Sequence, residues 1–581
     1  MKKKIIPVIV VAILIVLIAL GWIGWNYYNA HFVMTKDRVD LTEYFGVTSP
    51  DEILLIKDHE KMDLTAKQEN ERIYLPYSLV YELNHRFYLD ENDGILIYCT
   101  EKDLYSVNIE ETENKYFLNH EPVATEYPVV KLIDNELYLC LDFVRPYLST
   151  EFSYYEEPSR LCFTTESGTI QTQETINDTA LRIRGGIKGE ILTDLPAGTT
   201  LTLLEEGVDW NQVCDNSGFT GYVPKTDLGE VTETVIPEPV SNETWTHHLM
   251  DGPVCLLWHQ VTNPDSNKGI NNILPKTKAV NAVSPTWFYL NDNEGNLADL
   301  GSSEYVQFCH ENGVQVWALI SNFENPDVDT GYVLSHTTIR RAMVDQLMEK
   351  AINLGVDGIN LDFEAIDEAY GDDYVQLVRE LSQKCDEQGL IFSVDTYVPK
   401  AYSAYYDRAE QGRFADYVII MGYDEHYNGS DEGSVASLPY ARDGVMDTIA
   451  EGVDPAQIVL GMPFYTRLWK ETPKTEAPSE KELASPDYVP YDLSSQVLTM
   501  ATQNITVIER GAEVTWLEDL GQNYAQYQEG NSTYKIWMED AASLEKKLEV
   551  VKESGIAGGA FWKAELETAD VWDVIQTYLG Q

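Results

Sequence analysis

From Asp251 onward, eight short apolar runs recur: VCLLWHQV (254–261), AVNAVSPTWFYL (279–290), VQVWALIS (314–321), GINLDFE (358–364), LIFSVDTYV (390–398), YVIIMGYD (417–424), IVLGMPFYT (458–466) and GIAGGAFW (555–562). Runs of this length between polar turns read as buried strands. Amphipathic stretches at 335–354 and 373–388 read as helices between them. Strands that alternate with helices build parallel sheets covered on both faces. Eight such units predict a closed (β/α)8 barrel over 251–581. The gap 467–554 is too long for one helix and predicts an inserted subdomain before the last strand.

The fourth run asks the sharpest question. Side chains alternate along a strand, so Gly358, Asn360, Asp362 and Glu364 share one face while Ile359, Leu361 and Phe363 share the other. The apolar face belongs against the helices. The polar face then points into the barrel, with Glu364 at the strand's C-terminal end, where such barrels place their active sites. Two carboxylates so close push one pKa upward, and a carboxyl kept protonated near neutrality can serve as a general acid.

The first 250 residues read as a series of smaller parts, making the chain multidomain. Residues 1–4 form a basic tip and 5–25 an uncharged span of about 31 Å at about 1.5 Å per residue, enough to cross a bilayer core. Lys2, Lys3 and Lys4 place that end in the cytoplasm. Trp22, Trp25, Tyr27 and Tyr28 fall at the outer interface, and 26–581 is extracellular. A cleaved signal peptide, which would leave a secreted protein, is the alternative. The long apolar run without a small-x-small site favours an uncleaved membrane anchor. A net charge of -54 excludes nucleic acid and anionic lipid as charge-driven partners.

Within 32–168, IYLPYSLVYEL (73–83) and LYLCLDFVRPYL (137–148) share their apolar spacing, and each precedes an aromatic-rich stretch. The pattern reads twice as strand, short helix and hairpin, an α+β duplicated domain. DENDG (90–94) reads as a hairpin turn rather than a calcium loop. The repeat resembles the small duplicated N-terminal domain of copper amine oxidases, a resemblance that implies no copper chemistry. Residues 178–230 alternate short strands with Gly, Pro and Asp-Asn-Ser-Gly turns, the spacing of a small all-β barrel. LRIRGG, LPAGTTLTLL, DWNQV and TGYVPKTDL resemble bacterial SH3-like domains; the resemblance implies either a cell-wall peptide as partner or a passive spacer. Residues 231–250 read as a linker. Seven scattered cysteines, with no C-x-x-C, read as small hydrophobes; a Cys99–Cys162 bridge stays open.

With the barrel motifs in view, DGINLDFE resembles the D-G-x-D-x-D-x-E signature of family 18 glycoside hydrolases, the chitinase-like enzymes. MGYD (421–424), IVLGMPFYTRLW (458–469) and GIAGGAFW resemble that family's motifs on strands six, seven and eight, in order. MGYDEHYNGSDEGSVASLPY is similar to the branch of spore cortex-lytic and other peptidoglycan-directed enzymes. The resemblance implies retaining hydrolysis in which the substrate's own acetamido oxygen attacks the anomeric carbon. It implies Glu364 as acid and then base, Asp362 as partner of the acetamido N–H, and Tyr423 as partner of its carbonyl. Asp424, Trp562, Met421, Tyr465 and Asn360 fall on the substrate side, with Trp562 under the sugar ring. Two departures stand out. Asn360 replaces the family's middle aspartate, and its amide is expected to bond Asp362 without sharing a proton. ALISNF (318–323) stands where the family has S-x-G-G.

Of the remaining polar residues, His259 suits substrate binding or a strand cap. His426 and Glu425 suit the groove wall. Asp395 and Tyr397 end strand five with the same alternation, and Arg467 suits a structural role. Neither H-x-x-x-H nor clustered Cys/His occurs, and no phosphate-binding glycine motif, so no cofactor and no metal are expected. The expected function is hydrolysis of β-1,4 bonds next to N-acetylglucosamine in peptidoglycan or chitin-like glycans. The alternative is a non-hydrolytic, lectin-like wall protein or a sporulation scaffold.

Overall fold

The computed structural model describes residues 2–47, 49, 52–111, 113–237, 243–475 and 489–580. Part of the expected linker, 238–242, and residues 476–488 of the expected insertion lie outside the described residues. The chain forms two compact units: Met1–Phe87 with Val107–Phe117 and Pro122–Asn242, and Tyr88–Ser106 with Leu118–Glu121 and Glu243–Gln581.

The first unit begins with the helix Lys2–Phe32. Its Pro7–Phe32 portion has mean hydropathy 2.9 over its best window, none of which is buried. This helix is compatible with a membrane anchor or a signal sequence. A seven-stranded sheet carries strands from 52–76 and 130–163, and a second seven-stranded, antiparallel sheet runs from Gly168 to Ile236.

The second unit is built on eight parallel strands: β1 (Val254–His259), β2 (Ala282–Leu290), β3 (Gln315–Ser321), β4 (Gly358–Asp362), β5 (Ile391–Tyr397), β6 (Tyr417–Met421), β7 (Ile458–Pro463) and β8 (Gly558–Trp562). Pairing runs in sequence order from β2 to β8, and β1 joins both β8 and β2, so the sheet closes on itself. All eight predicted strands are present. The interior is filled by Val254, Leu256, Trp258, Trp317, Leu319, Tyr417, Ile419 and Val459. Ile359, Leu361 and Phe363 lie instead in the core between strands and helices. The alternation read from β4 is therefore the alternation observed.

Helix α1 (Thr337–Leu354) follows β3, and α2 (Gly371–Gln388) follows β4. His336 at the start of α1 offers no side-chain cap. The hairpin after Tyr88 supplies one: Asp90 accepts from the Thr337 N–H (2.6 Å) and Asp93 from the Thr338 N–H (2.7 Å). These carboxylates satisfy amides that a helix start leaves unpaired. DENDG is thus a turn whose acids serve a barrel helix, and 88–106 groups with the barrel rather than with the rest of 32–168.

Between β7 and β8 an antiparallel five-stranded sheet runs from Tyr465 to Trp537, with the helix Met500–Arg510 inside it. The next helix, α3 (Ala541–Ser554), puts Leu544, Leu548, Val550 and Val551 into the barrel's outer core. The insertion therefore starts two residues earlier than the expected 467 and ends before α3. The sequence run IVLGMPFYT crosses from a barrel strand into the inserted sheet, and apolar length alone does not mark that boundary. All seven cysteines are buried with free thiols, so the Cys99–Cys162 bridge is not formed.

Candidate active site

The site gathers at the C-terminal ends of β1, β3, β4, β5 and β6 and at the residues just after them. Asn360 is fully buried inside the barrel. Its Oδ1 accepts from Trp258 Nε1 (3.0 Å) and Ser284 Oγ (2.8 Å), and its Nδ2 donates to Asp395 Oδ1 (2.8 Å). An indole N–H only donates, so it fixes which end of the amide faces Asp395. The expected bond from Asn360 to Asp362 is not made: the amide spends its donor on strand five. Asp362 has one buried oxygen, Oδ1, without a hydrogen-bond partner among the described residues.

β4 ends at Asp362, two residues before Glu364. Strand pairing therefore does not hold Glu364. Asn322, just beyond β3, holds it instead, donating to the Glu364 carbonyl (2.9 Å) and accepting from its N–H (2.8 Å). Ala365 follows with φ +51°, a left-handed turn that costs a non-glycine residue energy and recurs near functional groups. Tyr397 completes the support: its hydroxyl accepts from the Ala365 N–H (3.0 Å) and donates to Glu364 Oε2 (3.1 Å).

Burial raises the Glu364 pKa above the ordinary glutamate value; the Tyr397 hydrogen bond opposes this, and Asp424 and Glu324 add to it. Burial also raises Asp362 and Asp395 well above the usual carboxylate range; Asp395, Glu364 and Glu324 reinforce the rise at Asp362, and Glu364 reinforces it at Asp395. Neighbouring strands lie about 4.8 Å apart, and two full charges at that spacing in an effective dielectric near 20 repel by about 3 kcal/mol. This mouth is a place where protons stay on.

Aromatic side chains frame the acids. Trp258 meets Trp562 edge to face at 5.9 Å and Tyr423 at 6.4 Å, and Tyr423 meets Tyr465 at 6.5 Å. Trp562 ends β8 and is half-buried, while Met421 ends β6 and is buried. Asp424 sits exposed at φ +56°, and its Oδ1 accepts from the Tyr465 hydroxyl (2.7 Å). The Tyr423 hydroxyl lies among the titratable groups Asp395, Asp362, Tyr465 and Glu364. Of the expected set, Asn360, Tyr423 and Trp562 meet at Trp258 and Tyr465 joins Tyr423 to Asp424, while Glu364 and Asp362 are tied to them through electrostatic influence.

Other candidates fall away from it. His259 stacks on Tyr305 and bonds its hydroxyl (3.1 Å), and burial pushes it down to about 4, so it is a neutral packing residue. Glu425 accepts from Ser437, the cap of the helix Leu438–Ala450. His426 bonds the Asp431 carbonyl within its own loop. Arg467 bonds Ser495 across the inserted sheet. Sequence reasoning missed Trp258, Ser284, Asn322 and Glu324. Trp258 was findable, because it shares the inward alternation of β1. Asn322 and Glu324 lie in and just after ALISNF, where no motif was legible.

The sequence profile of Glycosyl hydrolases family 18 matches residues 287–567. Among curated relatives, the chain is 26% identical over 266 residues to the cortical fragment-lytic enzyme of Bacillus subtilis, covering 44% of this chain and 58% of that one. It is 22% identical over 311 residues to the uncharacterized glycosylase YvbX of Bacillus subtilis, covering 51% and 84%. A crystal structure of a chitinase from Chromobacterium violaceum aligns with TM-score 0.48 and 20% identity, covering 57% of this chain and 99% of that chain.

Proposed function

Residues 287–567 form a glycosyl hydrolase family 18 domain, and the chain is accordingly a glycosidase; from that premise we propose a retaining, substrate-assisted hydrolysis of β-1,4 bonds next to N-acetylglucosamine, outside the cytoplasm and tethered by the Pro7–Phe32 helix. The carrying observation is Glu364: a carboxyl with a raised pKa, held by Tyr397 and Asn322 beside the buried Asp362.

In this reading the protonated Glu364 gives its proton to the glycosidic oxygen as the bond to the anomeric carbon breaks. The acetamido oxygen of the same sugar attacks that carbon, and an oxazolinium ion forms. Asp362 accepts the acetamido N–H and faces the positive charge. Tyr423 orients the acetamido carbonyl. Trp562 presents apolar ring surface to the sugar's C–H face, the buried Trp258 supports it edge to face from below, and Tyr465 holds Asp424 at the rim. Water then attacks while the Glu364 carboxylate takes its proton, and the configuration is retained. Exposed Phe323, Tyr402 and Tyr427 lie in the segments that follow the C-terminal ends of β3, β5 and β6, Tyr402 in the short 3-10 helix Ala401–Tyr406, and suit stacking of further sugars.

Wall peptidoglycan is the substrate class favoured over imported chitin. A surface tether and a relative named for cortical fragment lysis support that choice. In the same reading, the 178–230 segment is a bacterial SH3-like unit that contacts wall peptide, and 32–168 is a duplicated module without copper chemistry. The test uses the full chain in detergent with purified peptidoglycan and with chitooligosaccharides. New reducing ends of retained anomeric configuration are expected from the wild type and none from Glu364→Gln. Inverted products would overturn the acetamido route. Binding without release by both proteins would leave the lectin-like reading in its place.

A further inference from the structure

The interior carboxylate that the glycosidase reading leaves without a task is Asp395. It is 3% exposed, and β4 and β5 pair in the register Asn360↔Ser393 and Leu361↔Val394. One more step along that register sets Asp395 beside Asp362. Asp395 Oδ1 is occupied by the Asn360 amide, and Asp362 keeps a buried oxygen with no partner. The groups acting on the pair are the acids Glu364 and Glu324, the Asn360 amide and the Trp258 indole, which donate toward Asp395, and the hydroxyls of Tyr423 and Tyr374; Tyr397 and Asp424 act on the adjoining Glu364, and no basic side chain is among them. Among the described residues no three His, Cys, Asp or Glu side chains are arranged to hold a metal ion. Two carboxylates side by side in such a place, with no cation, hold a proton between them.

We propose that Asp395 and Asp362 share one proton, and that Asn360 is the positioning amide that sets which of them carries the charge. This rests on the glycosidase reading for its effect on turnover. In the empty site the Asn360 N–H favours charge on Asp395, and the proton sits on Asp362. When an acetamido N–H reaches Asp362 and positive charge grows on the sugar, the charge is needed there. The Asp362 O–H bond then breaks, an Asp395 O–H bond forms, and the pair keeps a single negative charge throughout. The carboxylate absent at position 360 is supplied from the next strand.

The test compares full-length wild type, Asp395→Asn and the exchanged double variant Asn360→Asp/Asp395→Asn. Asp395→Asn should lower kcat about 100-fold, the low end of the range for a lost proton-handling group, and change KM by less than about threefold. In the infrared difference spectrum of wild type against Asp395→Asn near neutral pH, one buried protonated-carboxyl band should be lost, distinct from the Glu364 band, which is identified separately as the one missing in Glu364→Gln. The double variant should regain the band and most of kcat, because it restores one acid and one amide on the same two strands. A purely structural Asp395 gives another pattern: the single variant keeps the band, or the exchange regains nothing, and either result overturns the proposal. Should Asp395→Asn fail to fold in a thermal melt, Asp362→Asn takes its place in the difference spectrum, since removing either partner removes the shared proton; an unchanged band there overturns it too. A wild type that cleaves no glycan sinks the glycosidase reading alone, because the band comparison reads the proton without turnover.

Discussion

Two groups of buried acids lie on opposite sides of the same barrel wall. Between α1 and α2, Glu380 is 4% exposed and Arg340 is fully buried. Two hydrogen bonds join them, at 3.0 and 3.1 Å, and Gln376 adds a third to Glu380. Although burial works against the charged form, Arg340 and its neighbours hold the Glu380 carboxyl below its ordinary pKa. Inside the barrel, Asp362 and Asp395 are as well buried but face other acids, and burial raises both. Burial alone does not decide the state of an acid; the sign of what it faces does. The outer pair is built to stay charged and hold two helices together, the inner one to hold and move protons.

That contrast can be broken from either side. The largest effect is expected from Glu364→Gln, which should reduce release of reducing ends about 1,000-fold, as removal of a general acid does. It should leave thermal unfolding unchanged or slightly higher, because a charge-prone group has gone from a buried site. Arg340→Met should do the reverse. It leaves Glu380 buried without its main cation, at a cost of about 3–5 kcal/mol, read as a lower denaturant midpoint. Activity per folded molecule should persist. Adding Glu380→Leu to Arg340→Met should recover part of the loss, and a second variant that recovers nothing would show that the arginine acts through packing alone.

The pH dependence of stability sharpens the same comparison. Asp362, Asp395 and Glu364 have folded pKa values above their unfolded ones, so the folded state binds more protons than the unfolded chain. Their contribution is complete below about pH 4 and is lost as pH rises through the folded values. Glu380 runs the other way, contributing above its unfolded pKa and losing that contribution as pH falls through its lowered folded value. Urea unfolding at several pH values should therefore show Asp395→Asn flattening the alkaline decline without altering the acid limb. The smallest effect concerns the cap. Asp93→Ala should cost about 1 kcal/mol through the start of α1, measured by thermal unfolding, with reducing-end release unaffected.

The sequence carried the barrel because its signal is local. An apolar run between turns marks a strand wherever that strand ends up, and alternation along DGINLDFE sorts Asn360 and Asp362 inward and Leu361 and Phe363 outward without any knowledge of neighbours. Glu364 was singled out by the same alternation, whereas Tyr423, Asp424 and Trp562 were singled out only by the resemblance of their motifs to family 18. The donors and partners of those residues were not. Asn322 grips Glu364 from 42 positions away, and the Asn360 amide meets Asp395 across 35. Likewise, the Asp90 and Asp93 caps reach α1 from 247 and 245 positions away. Each of these contacts depends on strand register and on the closing of the barrel. Periodicity fixes which way a side chain points, whereas the group it meets there is chosen only when distant strands are brought side by side.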